Sequence, residues 1–244
     1  MFTLYSADFT GNPGNCSYPH KTVVMNTDNL REAVCHDYVC AEYKNHYRNG
    51  ENFISADCLP VDCDNDHSED PKDWVTPADV LEAFPGVSIA IHYSRFNNRE
   101  KNGKPARPKF HVLFPIDRMT DATLYSDMKK LVNSIFPYFD TKALDAARFF
   151  FGTQEPNVEL YPGRMNLTEF LNDDEFDAGL PGGHEKDAVI PEGSRNAVMS
   201  RFAGIVIKKY GDSEKAYQSF LEKAATCVPP LDNNELSTIW HSAQ

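Results

Sequence analysis

Apolar and polar residues alternate along several short segments of the chain, and this alternation predicts β-strands. Successive side chains of a strand point to opposite faces, so a strand with one buried face shows a period of two. The segments that fit this period are residues 21–26, 59–64, 88–94, 109–116 and 158–161. We expect the third and fourth of them to pair as antiparallel neighbours.

Other segments carry apolar residues at helical spacing and therefore predict α-helices. They are residues 27–43, 76–84, 121–136, 194–210, 213–226 and 233–242. Thr27 is the expected N-cap of the first helix, and Thr76 precedes a proline at the first helical position of the second. Asp232 and Glu235 form a capping-box-like start for the last helix.

An acidic, glycine-rich stretch at residues 171–187 is typical of a linker. Mixed strands and helices precede it, and a compact run of helices follows it. The pattern predicts an α+β protein with two domains. We place the first domain at residues 1–180, the linker at 181–192 and a small all-α domain at 193–244.

The net charge is −12, from 24 lysine and arginine residues and 36 aspartate and glutamate residues. Taken as a sum, this charge argues against binding to nucleic acid, whose phosphates attract basic proteins. The distribution is more informative, because residues 57–82 hold nine acids and one base, whereas residues 93–118 hold seven bases and two acids. An acidic block followed by a basic block is typical of a metal site beside a phosphate site.

Composition and cysteine usage limit the class of protein. With 41% hydrophobic and 25% charged residues, the chain is globular and neither disordered nor fibrous. It lacks both an apolar run of the ~20 residues that a membrane helix needs and a secretory signal. We expect a soluble, cytoplasmic protein with reduced cysteines and no zinc, because the C-x4-C pairs differ from the spacing of zinc ribbons. Cys63 should point into the core.

The sequence ADCLPVDCDND places two carboxylates on one face of a strand. Asp62 and Asp64 are two residues apart, so their side chains lie close together and repel each other. A divalent cation, Mg²⁺ in particular, would relieve the repulsion. The segment differs from an EF-hand loop, which needs glycine where His67 stands and glutamate where Asp73 stands. A solvated acidic turn remains an alternative.

A second group of candidate residues lies on the strand KFHVLFPI. Alternation puts Lys109 and His111 on one face, in phase with Arg107, and Ser94 at the end of the neighbouring strand could join them. Such a row would suit a triphosphate, although a histidine on a strand can equally be structural. The connecting loop 95–107 is basic and is a candidate for contacting a template strand or incoming phosphates.

A third candidate is the aspartate in the segment LDAAR. Asp145 follows Leu144 in an apolar neighbourhood and precedes Arg148 by three residues. The two residues could form a structural ion pair. Alternatively, Asp145 could be a third metal ligand, with Arg148 as a phosphate-binding group.

These elements, in this order, resemble three motifs of the archaeo-eukaryotic primase superfamily. The motifs are D-x-D at Asp62 and Asp64, K-x-H at Lys109 and His111, and a hydrophobic residue followed by Asp145. The resemblance is to the primase-polymerase (prim-pol) branch of phages, plasmids and other mobile elements. The family's second motif commonly begins with serine, where this chain has a lysine.

The resemblance implies an RRM-like catalytic core and DNA-templated nucleotidyl transfer, as a primase, a DNA polymerase or both. Asp62, Asp64 and Asp145 would hold two Mg²⁺ or Mn²⁺ ions, with nucleoside triphosphates as substrates and single-stranded DNA as template. The residues expected to bind the nucleotide are His111, Lys109, Arg107, Arg148 and Ser94. Those expected to contact template or primer are Arg48, Asn52, Arg95, Arg99, Lys101 and Lys104.

The C-terminal part of the chain resembles the helical primase C-terminal domain that follows the catalytic domain in many such proteins. The matching residues are Gly193, Arg195, Asn196, Pro229, Pro230, Leu231, Glu235 and Ser242. This resemblance implies a phage- or plasmid-type replication protein in a prokaryotic cell. Because the chain stops at WHSAQ, inside or just after a predicted helix, we also expect that it is part of a longer primase-helicase.

Two other functions are compatible with parts of the sequence. A Rep-type DNA-nicking endonuclease uses a His-hydrophobic-His metal pair and a tyrosine nucleophile, but His111 is followed by Val112-Leu113 and the pair is missing. A non-catalytic DNA-binding module of a replisome is the other alternative.

Overall fold

The computed structural model describes residues 1–100, 103–172, 190–191, 195–210 and 212–244. Over these residues the chain is a mixed α+β protein with two antiparallel sheets and several helices, as the sequence predicted. Two compact units can be distinguished. One comprises Met1–Lys130 with Tyr138–Phe170, and the other comprises Leu131–Pro137 with Leu171–Gln244.

The described part of the chain contains eleven strands and seven α-helices. The strands are β1 (Phe2–Ser6), β2 (His20–Val24), β3 (Tyr38–Val39), β4 (Ala41–Tyr43), β5 (Phe53–Cys63), β6 (Ile89–Tyr93), β7 (Phe110–Met119), β8 (Phe149–Phe150), β9 (Val158–Tyr161), β10 (Ile190–Pro191) and β11 (Cys227–Val228). The helices are α1 (Thr27–Val34), α2 (Pro77–Ala83), α3 (Ala122–Ile135), α4 (Leu167–Asn172), α5 (Arg195–Tyr210), α6 (Glu214–Ala224) and α7 (Asn233–Ala243).

The first sheet has the strand order β2-β1-β3-β8, with antiparallel pairs throughout. Its strand β3 corrects the predicted helix 27–43, which ends at Val34. Tyr38 and Val39 pair with β1 instead of continuing the helix, since distant strand pairing outweighs a weak helical preference. The N-cap is also one residue earlier than predicted, because the side chain of Asn26 accepts a hydrogen bond from the backbone N–H of Asn29.

The second sheet has the order β4-β5-β7-β6-β9, again antiparallel. Four of its five strands were predicted, and β6 and β7 are the expected antiparallel neighbours. The strands β5 and β7 are longer than predicted and form the centre of this sheet.

Both faces of the second sheet are buried, and this determines where its polar residues lie. On one face of β7, Phe114 packs against Phe84, Phe139 and their neighbours. On the other face, Leu113 contributes to a core shared with α1 and the first sheet, which includes Tyr38 and other residues. The predicted alternation along β7 is therefore confirmed, but its second face meets the first sheet instead of solvent.

The second compact unit contains α5, α6 and α7 and the short parallel pair β10–β11. The three predicted helices are confirmed, and so is the capping box, in which Glu235 accepts from the N–H of Asp232 and Asp232 accepts from the N–H of Glu235. Met199, Phe220 and Trp240 lie in its core. Of the predicted linker at residues 181–192, only Ile190 and Pro191 lie within the described residues, where they form β10.

None of the described helices combines the length and the apolarity that a membrane span requires.

Candidate metal centre

A row of polar residues crosses the middle of the second sheet. In the register of β5, β7 and β6, Asp62 lies opposite His111, and His111 lies opposite His92. All three residues are buried. Because directly paired residues of adjacent strands point to the same face, the row faces the first sheet.

Three carboxylates converge where β5 ends. One oxygen each from Asp62, Asp64 and Asp140 lies within 4.8 Å of the others. Asp140 is brought to the strand by its own backbone, whose N–H donates to the carbonyl of Asp62 at 2.7 Å. We call Asp62, Asp64 and Asp140 the carboxylate centre.

The donor set of the carboxylate centre fits a hard divalent cation. The side chain of Asp62 is only 10% exposed, yet among the described residues no group donates a hydrogen bond to its carboxylate. Burial, followed by the nearby charge of Asp64, raises the pKa of Asp62 to about 7. A buried carboxylate without a donor needs a proton or a cation, and Mg²⁺ or Mn²⁺ prefers oxygen ligands of this kind.

The structure places Asp140, and not Asp145, with the two strand aspartates. Asp145 is exposed, and its carboxylate accepts a hydrogen bond from the N–H of Ala147. Its backbone carbonyl accepts from the buried ammonium of Lys129 at 2.8 Å. Asp145 therefore organises its own turn, and the ion pair with Arg148 considered from the sequence is not among the ion pairs of the described residues.

Two cationic groups border the carboxylate centre. The ammonium of Lys109 lies 3.0 Å from Asp64, and this lysine is only 4% exposed. The guanidinium of Arg148 lies 3.8 Å from Oδ2 of Asp62. Both were predicted to bind phosphate, and the structure places both beside the carboxylate centre.

His111 adds a neutral group to the same place. Its Nε2 atom lies 3.7 Å from the carboxylate of Asp62. Burial lowers the pKa of His111 to about 3 and that of His92 well below its usual value. The contact between His111 and Asp62 thus joins a neutral imidazole to a carboxylate and is not an ion pair.

Arg107, which was predicted to bind the nucleotide, has a structural position instead. It is completely buried, and its guanidinium donates to the backbone carbonyls of Asn65 and Ser68 and to the carboxylate of Glu69. Asn65 completes this arrangement by bonding to the backbone of Val75 in both directions. Arg107 therefore holds residues 65–76, which we call the Arg107 loop.

The other residues predicted to bind the nucleotide or to belong to the basic loop make local bonds or are exposed. The hydroxyl of Ser94 accepts from the N–H of Phe96 within its own turn. Lys104 pairs with Asp66 at 3.1 Å at the surface, and Arg99 is exposed. Lys101 lies outside the described residues.

Arg48 and Arg95 stack on a pair of phenylalanines. The guanidinium of Arg95 lies 4.1 Å from the ring centre of Phe151, and that of Arg48 lies 4.8 Å from the ring centre of Phe149. The two rings meet edge to face at 5.0 Å, and Arg95 also lies over Phe96. We call these five residues the Arg–Phe surface.

Asn52, the remaining residue expected to contact template or primer, makes a local contact. Its amide donates to the carbonyl of Tyr47 at 3.1 Å. It closes the turn before β5.

Sequence reasoning missed Asp140 and His92. Phe139-Asp140 is a hydrophobic residue followed by aspartate, just as Leu144-Asp145 is, so the same pattern occurs twice and does not distinguish them. The only signal for His92 was its place in an apolar strand, because the register that pairs it with His111 is not visible in the sequence.

Comparisons with known proteins returned one similar structure. The sequence matches no family model, and no curated protein sequence is similar to it. The similar structure is the AEP domain of the primase-polymerase (PrimPol) of cyanophage S-2L, at 13% identity over 66% of this chain and 81% of that one. The TM-score is 0.38, which is too low to establish a shared fold, so function is argued below from this chain's own residues.

Proposed function

We propose that this chain is a divalent-metal-dependent nucleotidyltransferase that makes or extends primers on single-stranded DNA during replication of a phage or another mobile element. The observation that carries the proposal is the carboxylate centre, in which Asp62, Asp64 and Asp140 converge beside His111. The D-x-D and K-x-H segments that resemble primase-polymerase motifs fall at this same point of the fold.

The groups around the carboxylate centre suit a nucleoside triphosphate. Lys109 and Arg148 carry positive charge beside it, and His111 can offer an N–H without adding charge. The carboxylates of the centre would hold divalent cations, whose chemistry is to lower the pKa of an attacking 3′-hydroxyl and to neutralise phosphate charge. The chain's own residues would then orient the triphosphate.

A single experiment distinguishes the proposal from its alternatives. Labelled nucleotide and a single-stranded DNA template are incubated with the protein and Mn²⁺ or Mg²⁺, and incorporation, strand cleavage and binding are measured in parallel. We expect incorporation that requires both template and cation. Cleavage that leaves a tyrosine–DNA adduct would favour the nicking endonuclease, and binding without either reaction would favour a non-catalytic module.

The Arg–Phe surface supports single-stranded DNA as the partner. The exposed guanidinium of Arg95 can attract phosphates, whereas that of the half-buried Arg48 already donates to the backbone carbonyls of Asn15 and Ala147. Aromatic and guanidinium planes stack on bases without regard to sequence. Because the chain carries a net charge of −12, we expect weak binding that falls steeply with salt.

The matched test of this surface compares two exposed arginines. Arg95→Ala should weaken binding of a fluorescent single-stranded oligonucleotide about fivefold to tenfold, as expected for the loss of one stacking and phosphate contact. Arg31→Ala removes the same charge from α1, where Arg31 pairs with Asp28, and should change binding by less than about twofold. Equal losses in both variants would contradict a specific role for the surface.

The second compact unit is proposed to be the helical primase C-terminal domain, on the strength of its sequence resemblance. Arg195, one of the matching residues, donates to the carbonyls of Pro229 and Pro230. These three residues thus have a shared structural role.

A further inference from the structure

The hydroxyl of Tyr38 lies between two histidines, of which the proposed chemistry uses only His111. It is 3.1 Å from Nδ1 of His92 and 3.1 Å from Nδ1 of His111. On the far side, Nε2 of His92 is 3.2 Å from the hydroxyl of Thr153. Tyr38 and His92 are completely buried, His111 is 6% exposed and Thr153 is half-buried, so these four polar side chains form a row that leads into the core.

The hydroxyl proton of Tyr38 needs an acceptor, and each Nδ1 atom beside it is a candidate. A neutral imidazole carries its proton on one nitrogen only, so an Nδ1 atom that accepts implies a proton on Nε2 of the same ring. If His92 were the acceptor, neutral His111 would carry its proton on Nδ1. Its Nε2 lone pair would then face the carboxylate of Asp62 at 3.7 Å, which is repulsive when that carboxylate is ionised, as it is with a cation bound.

The opposite direction of hydrogen-bond donation gives every polar group in the row a suitable partner. The hydroxyl of Thr153 donates to Nε2 of His92, and Nδ1–H of His92 donates to the oxygen of Tyr38. The hydroxyl of Tyr38 then donates to Nδ1 of His111, which leaves Nε2–H of His111 facing Asp62. Three of these contacts are at hydrogen-bond distance, and the fourth, at 3.7 Å, is an electrostatic attraction. All of them run in one direction towards the carboxylate centre.

We propose that Tyr38 and His92 are positioning residues that hold His111 as the Nε2–H tautomer, with that N–H directed to the carboxylate centre as a donor for a phosphate oxygen. The inference rests on the proposed function only in naming a phosphate oxygen as the acceptor. The tautomer of His111 does not depend on the proposed function. A phosphate oxygen is only an acceptor, so a histidine fixed as a donor binds it better than one that exchanges between two tautomers.

The experiment reads the tautomer directly, by nitrogen-15 NMR of the imidazole rings in the whole 244-residue chain. In the wild type, His111 should show a protonated Nε2 and an unprotonated Nδ1, and His92 should show the reverse. Tyr38→Phe should leave His111 as a mixture of tautomers. Tyr125→Phe is the control, since Tyr125 is equally buried and its hydroxyl donates to the carbonyl of Cys58 without touching either histidine.

A second readout separates positioning from simple stabilisation. Tyr38→Phe should raise KM for the nucleotide about fivefold to tenfold with kcat within about twofold, the size expected for one lost hydrogen bond. Tyr125→Phe should lower the melting temperature by a similar amount but leave KM unchanged.

Two NMR results would overturn the proposal. The first is a proton on Nδ1 of His111 in the wild-type protein, a measurement for which no variant has to fold. The second is an unchanged tautomer of His111 in Tyr38→Phe. These measurements use no nucleotide. An inactive protein with the expected tautomers would therefore count against the proposed function alone, and an active protein with the other tautomer would count against this inference alone.

Discussion

Two groups of charged side chains lie next to each other after β5, and they differ in which charge is buried. In the Arg107 loop the cation is buried, and its carboxylate partners Asp66 and Glu69 are 47% and 71% exposed. In the carboxylate centre the buried group is the anion of Asp62, at 10% exposed. The same residue types, within a few positions of each other, thus form two opposite arrangements.

The difference lies in what satisfies the buried charge. Arg107 donates through its two terminal nitrogens to backbone carbonyls and to Glu69, so its charge is compensated within the chain and only its Nε lacks a partner. The carboxylate of Asp62 has two other carboxylates beside it and no hydrogen-bond donor among the described residues. A satisfied buried charge stabilises a loop, whereas an unsatisfied one provides a place for a ligand of opposite charge.

The largest expected effect comes from removing the buried anion. Asp62→Asn should reduce nucleotide incorporation on the order of 1,000-fold, because a metal ligand contributes several kcal/mol to the transition state. Circular dichroism should show an unchanged fold, since no described residue donates a hydrogen bond to this carboxylate. Glu69→Gln removes an acid from the Arg107 loop and should alter incorporation by less than about twofold. Wild-type incorporation by Asp62→Asn would contradict the metal assignment.

Removing the buried cation should affect stability instead of chemistry. Arg107→Met should lower the free energy of unfolding in urea by about 3 kcal/mol, because two backbone carbonyls lose a charged donor. Lys104→Ala, which breaks only the exposed pair with Asp66, should cost less than about 1 kcal/mol. An Arg107→Met protein of normal stability with a raised KM for nucleotide would show that the buried arginine serves binding after all.

The identity of the third carboxylate can be tested by a matched pair of variants. Asp140→Asn should weaken Mn²⁺ binding by about tenfold or more, measured by calorimetry. Asp145→Asn should leave the affinity unchanged, because this side chain accepts from the N–H of Ala147 and lies outside the cluster. In both variants the amide oxygen can still accept the local backbone hydrogen bond, so a difference reports on the cation. The reverse ranking would restore the assignment expected from the sequence.

The smallest effect is on pH dependence. With the pKa of Asp62 raised to about 7, protons compete with the cation, and Mn²⁺ affinity should rise about tenfold from pH 6 to pH 8. Without divalent cations, the free energy of unfolding should change with pH in the opposite direction to the Mn²⁺ affinity. The folded state binds the proton more tightly than the unfolded state, so stability should fall as the pH rises from about 4 to about 7. Asp62→Asn should remove both dependences, and their persistence would point to another group.

The helices of the second compact unit could be predicted closely from sequence. In the first forty residues the sequence predicted β2 and the start of α1 but missed β1 and β3. Helical spacing and the capping box of Asp232 and Glu235 are local signals, since they involve residues three or four positions apart. The strand β3 depends on pairing with β1 more than thirty residues away. No local pattern reports such pairing, and the apolar spacing of Tyr38 was consistent with a helix that the structure ends earlier.

The sequence by itself determined that Asp62 and Asp64 share a face and that Lys109 and His111 share another, because the period of two is a property of a single strand. Only the tertiary structure decided that these residues lie side by side on one face of the same sheet. The register of the strands sets Asp62 opposite His111 and His111 opposite His92. The tertiary structure also decided that Asp140 joins the centre, through one backbone hydrogen bond to Asp62, and that Arg107 is buried. Charge, spacing and residue type are local, whereas burial and partnership depend on what the rest of the chain brings alongside.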